Sequence, residues 1–413
     1  MRQKIFFLTI LLLFLITNTS LAAEPNILSP SALLMDSKTG QILYEKNIDE
    51  KLYPASTTKV MTALLLLEDG DLEKVVEINE DVPNLIELGS SQIYLIPGEK
   101  LTREQLLYSL LVDSANDAAV AIAQDISGSV EKFAQKMNEK AKELGAINTN
   151  FVNPHGLHDD NHYTTAKDLS IIAKEAMKNP TFRKVVTTDR YIIPATNKQD
   201  TRYLYLTNRL IRNTSYNNYQ YEGATGIKTG YTSKAKYALI GGATRNNLDL
   251  ITVILNGEST QVYKDTHSLL DYGFENFQRD IAIKEGEVVK EIPLDKNNES
   301  LSVLAKETFE YSHLKNSTQE VTATIELPDE IQLPIEKGDV LGTLAFSIDN
   351  KKIDSIPLIA DKSVEAPNSI LSFFSNLKMF IWLGIAIILF FIYRTYVYIR
   401  KKRRRRKRLF KMK

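Results

Sequence analysis

Three short blocks of this chain carry residue types that perform acyl transfer. The first is Tyr53-Pro-Ala-Ser-Thr-Thr-Lys59, with Ser56 and Lys59 three apart at the head of an apolar stretch. On a helix that spacing puts both side chains on one face, roughly 5–6 Å apart at Cβ. A neighbouring amine activates a serine hydroxyl, and the free N–H groups of a helix start favour an anion. The apolar run Val60 to Leu67 predicts that Lys59 borders a core. Burial lowers a lysine pKa toward that of a general base. The second block is Asp113-Ser-Ala-Asn-Asp117. In a loop, Ser114 and Asn116 turn toward one space, a hydroxyl to relay a proton and an amide to orient a carbonyl or the lysine. The third is Gly226-Ile-Lys-Thr-Gly-Tyr-Thr232. Here Lys228 and Thr229 suit a carboxylate or a proton transfer, and Gly230 lets a substrate approach the backbone closely. The N–H of Tyr231 is placed to join that of Ser56 as an oxyanion hole. Singly, each block has a plainer reading: a helix cap, a helix–helix turn, a strand-edge turn. Lys38-Thr-Gly40 repeats the third tripeptide in a hairpin, so that string alone is weak.

The elements that must hold these blocks follow from periodicity. Ser31 to Glu45 reads as two apolar strands joined at Lys38-Thr-Gly40. Val60 to Glu68 reads as a buried helix, and Leu101 to Val112, Ala115 to Ile126 and Val130 to Leu144 as further helices, the last capped by Ser129. Thr165 to Asn179 is another, stopped at Pro180. Tyr237 to Ala243 and Leu248 to Gly257 read as strands turning at Arg245-Asn-Asn247, and Val262 to Tyr272 as a closing helix. Strands at both ends of this stretch predict one sheet with a helical lobe inserted. From Glu285 to about Asp361 short alternating runs broken by Asp, Asn, Gly and Pro predict a small all-β domain.

Both ends read as membrane signals. Arg2 and Lys4, the apolar run Ile5 to Ile16 and a cut after Ala22 describe a secretory signal peptide; an uncleaved anchor is the alternative. Met379 to Ile399 holds 21 residues with one charge, Arg394. As a helix this is roughly 31 Å long, enough to cross a hydrocarbon core of about 30 Å. The basic run from Arg400 to Arg408 then belongs in the cytoplasm. The formal charge of zero hides this tail: residues 5–393 hold 37 bases and 51 acids, a net −14. Such a body is a poor nucleic-acid binder. The chain has no cysteine, which excludes disulfides, thiol catalysis and thiolate metal sites. No Gly-rich phosphate loop is present.

In order and surroundings the three blocks resemble the penicillin-recognising serine acyl-transferases, with S-x-x-K at a helix start, S-x-N in a helical lobe and K-T-G on a late strand. Within that superfamily the chain is most similar to the low-molecular-mass penicillin-binding proteins that are D-alanyl-D-alanine carboxypeptidases. Phe151-Val-Asn-Pro-His-Gly-Leu157 and Thr164-Thr-Ala-Lys-Asp-Leu169 add to the match. The resemblance implies an α/β catalytic domain of β-lactamase/transpeptidase type over residues 23–277 and a β-rich domain over 278–366, while the apolar span and basic run give a linker over 367–377, a transmembrane helix over 378–399 and a cytoplasmic tail over 400–413. It implies Ser56 as the acylated nucleophile, Lys59 as its base and Ser114 as a catalytic relay. Asn116, Lys228, Thr229, Gly230 and Tyr231 would bind substrate. The substrate would be the D-Ala-D-Ala end of peptidoglycan stem peptides, with beta-lactams as covalent inhibitors and no cofactor or metal.

His155, His158 and His162 have spacings that could suggest metal ligands, but their loop reads better as a turn that closes the helical lobe with His155 at the cleft rim. The turn is the reading adopted. Three rivals remain: a beta-lactamase, which needs a glutamate-bearing deacylation loop not recognisable between Leu144 and Gly226; a transpeptidase or endopeptidase; and a non-catalytic wall-binding or sensor protein.

Overall fold

The computed structural model describes residues 24–409 apart from 213, 215, 217, 295–299, 317–320, 349–350 and 366–369. The expected signal peptide, residues 1–22, lies outside the described residues. The chain forms two compact units, one up to Ile281 together with Glu310–Thr318, the other Ala282–Phe309 and the chain from Gln319 onward.

The first unit begins with the expected hairpin, β1 (Ser31–Asp36) and β2 (Ile42–Lys46). Next come α1 (Lys59–Asp69), β3 (Val75–Glu77), β4 (Lys100–Thr102) and α2 (Arg103–Leu111). The helix expected from Leu101 therefore starts two residues later. Thr102 is its cap, accepting from the Gln105 N–H while the Gln105 side chain accepts from the Thr102 N–H, and a capping residue needs extended backbone. The lobe continues with α3 (Asn116–Ser127), α4 (Val130–Glu143) and α5 (Ala166–Lys178), capped by Ser129 and Thr165 in the last two cases. Pro180 does not only end α5. It opens α6 (Pro180–Val186), where Asn179 caps and proline's missing N–H is no loss. The pair β5 (Arg190–Ile193) and β6 (Arg202–Tyr205) leads to β7 (Ala224–Thr232), β8 (Lys236–Arg245), β9 (Leu248–Gly257) and α7 (Gln261–Asn276).

The main sheet has the order β2-β1-β9-β8-β7, antiparallel throughout, so the first and last strands do share one sheet. Both faces are covered. Leu33 and Met35 face the helical lobe, while Ala32 and Leu34 face a cluster with Leu269, Leu270 and Phe274 of α7. This explains why β1 is buried along its whole length and reads as a continuous apolar run. Helix α1 is buried on all sides from Lys59 to Leu66, at the centre of the lobe.

Beyond α7 the chain runs through β10 (Phe277–Ile283), β11 (Val288–Pro293), β12 (Ser300–Ala305) and β13 (Phe309–Leu314). β13 pairs with β10, and from Glu310 it belongs to the first unit, although the sequence reading places it in the β-rich domain. The second unit holds an antiparallel sheet ordered β11-β12-β16-β15-β14, completed by β14 (Thr322–Glu326), β15 (Val340–Ile348) and β16 (Lys351–Ala360). Its last element is α8 (Ile370–Leu409), which runs without a break through most of the segment expected as a linker and into the basic run. Within it, Met379–Arg404 is long and apolar enough to cross a membrane.

Candidate active site

Ser56 sits on a 3-10 turn, Ala55–Thr58, and Lys59 is the first residue of α1. Their side chains meet, Lys59 Nζ to Ser56 Oγ at 2.9 Å. The turn is held in an unusual shape. Ala55 has φ +49°, in the left-handed region that side chains avoid. The loop Asn153 to Leu157 presses on it from the other side. A Cβ on Gly156 would stand 1.8 Å from the Ala55 carbonyl oxygen, and Gly156 has φ +87°, so only glycine fits. Asn153 Oδ1 fixes that loop by accepting from Gly156 N–H at 2.7 Å. Thr62 Oγ1 ties it to α1 through the Pro154 carbonyl at 2.6 Å.

Lys59 is fully buried. Besides Ser56 it reaches Asn116 Oδ1 at 2.6 Å and the His155 carbonyl at 3.0 Å. Burial pushes its pKa well below the usual lysine value, the Lys228 charge pushes it further, and Asp117 opposes them. A neutral amine donates twice and accepts once. Donation to Asn116 and His155 leaves its lone pair for the Ser56 hydroxyl, so the arrangement can take the serine proton.

The second block lies at the start of α3. Ser114 is buried with φ +62°, and Asn116 begins the helix. Asn116 is the member of this block that bonds to Lys59. The third block forms the edge strand β7 itself. Gly230 packs on the Ser56 turn: a Cβ there would lie 2.9 Å from Ser56 N and 3.1 Å from Ala55 Cβ. Glycine therefore lets the K-T-G strand approach the serine. Thr229 Oγ1 bonds Thr207 Oγ1 at 3.0 Å. Tyr231 turns its ring outward, against Tyr237 at 4.5 Å between centroids.

Lys228 is 1% exposed, and burial lowers its pKa to about 7, with Asp113 opposing. Its Nζ donates to the Thr229 carbonyl at 3.0 Å. The polarity of a lysine gives no sign of how deeply a strand will bury it.

The three histidines face different partners. His155 is buried rather than at a rim, and its Nδ1 accepts from Leu157 N–H. His162 Nδ1 accepts from Val152 N–H at 3.1 Å, so Nε2 carries the proton toward Thr58 Oγ1 at 2.9 Å. Burial lowers the His162 pKa to about 4. His158 packs edge-on to Tyr53. Among the described residues no three His, Cys, Asp or Glu side chains converge as metal ligands. The His155 carbonyl, Gly156 and Thr207 went unread as site residues. The Asn-Pro-His-Gly string marked a turn, whereas Thr207 left no signal.

The chain matches the sequence model described as D-alanyl-D-alanine carboxypeptidase over residues 18–259, and that described as penicillin-binding protein 5, C-terminal domain, over 277–366. It is 36% identical to D-alanyl-D-alanine carboxypeptidase DacF of Bacillus subtilis, covering 81% of this chain and 85% of that one. It is 31% identical to DacC of Escherichia coli, covering 86% and 90%. Penicillin-binding protein 5 from Haemophilus influenzae superimposes with a TM-score of 0.72 at 30% identity, over 83% of this chain and 99% of that one.

Proposed function

Because the chain belongs to the D-alanyl-D-alanine carboxypeptidase family, we propose that Ser56 is its acylated nucleophile and Lys59 the base. Neutral Lys59 takes the Ser56 proton as Oγ attacks the carbonyl carbon of the penultimate D-Ala. The N–H groups of Ser56 and Tyr231 hold the oxyanion that forms. The C–N bond then breaks, the terminal D-Ala leaves with a proton returned from Lys59, and water hydrolyses the acyl-enzyme. Asn116 orients the amine and the substrate amide, and Ser114 relays protons. Lys228 and Thr229 receive the terminal carboxylate, and Gly230 gives it room. The observation that carries the reading is Lys59 Nζ, fully buried, 2.9 Å from Ser56 Oγ. Beta-lactams acylate the same serine.

The protein acts on peptidoglycan stem peptides outside the cytoplasmic membrane, anchored by α8 with its basic end in the cytoplasm. Protease added to intact cells should then leave a protected fragment of a few kilodaltons carrying the tail. Digestion of the tail from outside would reverse the orientation.

A fluorescent penicillin and a D-Ala release assay test the chemistry. Ser56→Ala should lose both signals while its melting temperature stays close to the parent's, since the hydrogen bond between the Ser56 hydroxyl and Lys59 contributes about 0.5–1.5 kcal/mol. Labelling retained in that variant would remove Ser56 from its role. Rapid penicillin turnover by the parent would favour a beta-lactamase instead.

A further inference from the structure

Asp117 follows Asn116 at the start of α3 and is 1% exposed. No ion pair of this carboxylate occurs among the described residues. Its partners are backbone amides. Oδ2 accepts from Leu95 N–H at 2.9 Å and Ile93 N–H at 3.1 Å, and Oδ1 from Ala118 N–H at 2.9 Å. One residue earlier, Asn116 N–H donates to the Ser91 carbonyl at 2.8 Å. The strap from Ile86 to Glu99, mostly irregular backbone, is thus fastened at Ser91, Ile93 and Leu95 to two adjacent residues of α3. Between the last two anchors Tyr94 is forced to φ +59° and stands 70% exposed, while Ile93 and Leu95 are buried. Strain of that kind persists only where surrounding bonds impose it. Arg202 and Gln199 pin the same strap from its other side, through the carbonyls of Ile93 and Tyr94.

The choice of an acid here needs a reason, because burying a carboxylate is costly. An asparagine offers one acceptor oxygen and would turn its NH2 toward amide donors. Burial raises the Asp117 pKa while the three amides hold it down. Around the same centre stand Lys59 from α1, Lys228 from β7, Asp113 from the preceding loop and His155, whose own pKa burial lowers. Of these, Lys59 feels the Asp117 charge as one that favours its protonated form.

We propose that Asp117 is a positioning residue for the Ser56–Lys59 pair: it clamps the strap to the start of α3, and through Asn116, bonded to Ser91 on one side and Lys59 on the other, it holds the lysine amine on the serine. This rests on the reading of Lys59 as base.

The test uses the full-length protein in detergent, a chromogenic beta-lactam in stopped flow from about pH 5 to 10, and hydrogen exchange of the segment 91–96. Asp117→Asn should slow acylation roughly tenfold to a hundredfold, the loss of a buried charged acceptor. Its ascending pH limb should move to lower pH, because the charge that favoured protonated Lys59 is gone. Segment 91–96 should exchange faster. Gln199→Ala frees the strap from the other side, so it should speed exchange there and leave the pH limb in place. Asp117→Asn acylating at the parent rate with an unmoved limb would overturn the proposal. Should that variant not fold, the parent decides alone: acylation by penicillin should slow exchange at Ile93 and Leu95, and unchanged exchange overturns the coupling. Acylation at the parent rate in Lys59→Met would instead refute the base assignment itself.

Discussion

Arg279 and Lys59 both bury their charged ends in the first unit, and the chain treats them in opposite ways. Arg279, its side chain 3% exposed, lies 3.0 Å from Asp36, 3.2 Å from Asp249 and 3.0 Å from Glu310. Ser312 Oγ completes the cluster by donating to Asp36. Lys59 is as deeply buried but meets a hydroxyl, an amide oxygen and a carbonyl, with no carboxylate in contact. A guanidinium stays charged and needs matching carboxylates in the interior. A lysine can give up its proton instead, and burial without a paired charge favours the neutral form. The matched site ties together β1, β9, β10 and β13, whereas the unmatched one has the environment that the proposed base requires.

The contrast is sharpest in Lys59→Met, which fills similar volume without an amine. Acylation should fall by about 10²–10⁴, the share of a general base. Stability should rise at the same time. A lysine whose folded pKa is depressed binds fewer protons folded than unfolded, so it destabilises the fold most at low pH and not at all above 10.5. The variant should therefore melt above the parent at neutral pH, with the gain shrinking toward pH 10.5. A variant that is less stable at pH 7, or one that acylates at the parent rate, contradicts this account.

Arg279→Met should do the reverse. Removing one partner strands Asp36, which is fully buried, and breaking such a cluster costs about 3–5 kcal/mol. For a unit of this size the melting temperature should drop by roughly 10 °C. Acylation below that temperature should change by no more than about twofold, because sites without shared partners act independently. Calorimetry alongside penicillin labelling checks both halves, and a large rate loss with an unchanged melting point would break the comparison.

The two sites also differ in how far the sequence discloses them. Ser56 and Lys59 are three apart, Ser114 and Asn116 two apart, and Lys228 to Gly230 contiguous, so each block is local and readable. Arg279, Asp36, Asp249 and Glu310 come from four distant stretches, and nothing near any of them announces the others. The same limit hid the His155 carbonyl, since a backbone oxygen has no residue type. The main sheet was legible because β8 and β9 are ten residues each. Strands β3 and β4 have three residues, too few to establish a period of two.

Lys228 lies between the two cases and should give the smallest effect. It is buried like Lys59, but Asp113 opposes the loss of its charge, and its pKa comes to about 7 against 10.5 for an ordinary lysine. The folded pKa is the lower one, so unfolded chains hold more protons from about pH 7 to 10.5, and stability rises with pH across that window. Lys228→Met should remove this slope. Urea midpoints of parent and variant should differ most at pH 7 and below, with the variant the more stable, and should converge by pH 10.5. The substitution also deletes a positive charge that lowers the Lys59 pKa. The ascending limb of acylation should therefore move to higher pH, opposite to the shift expected of Asp117→Asn. A midpoint difference that stays constant from pH 7 to 10.5 would mean that Lys228 keeps its proton in the fold, as an ordinary paired lysine does.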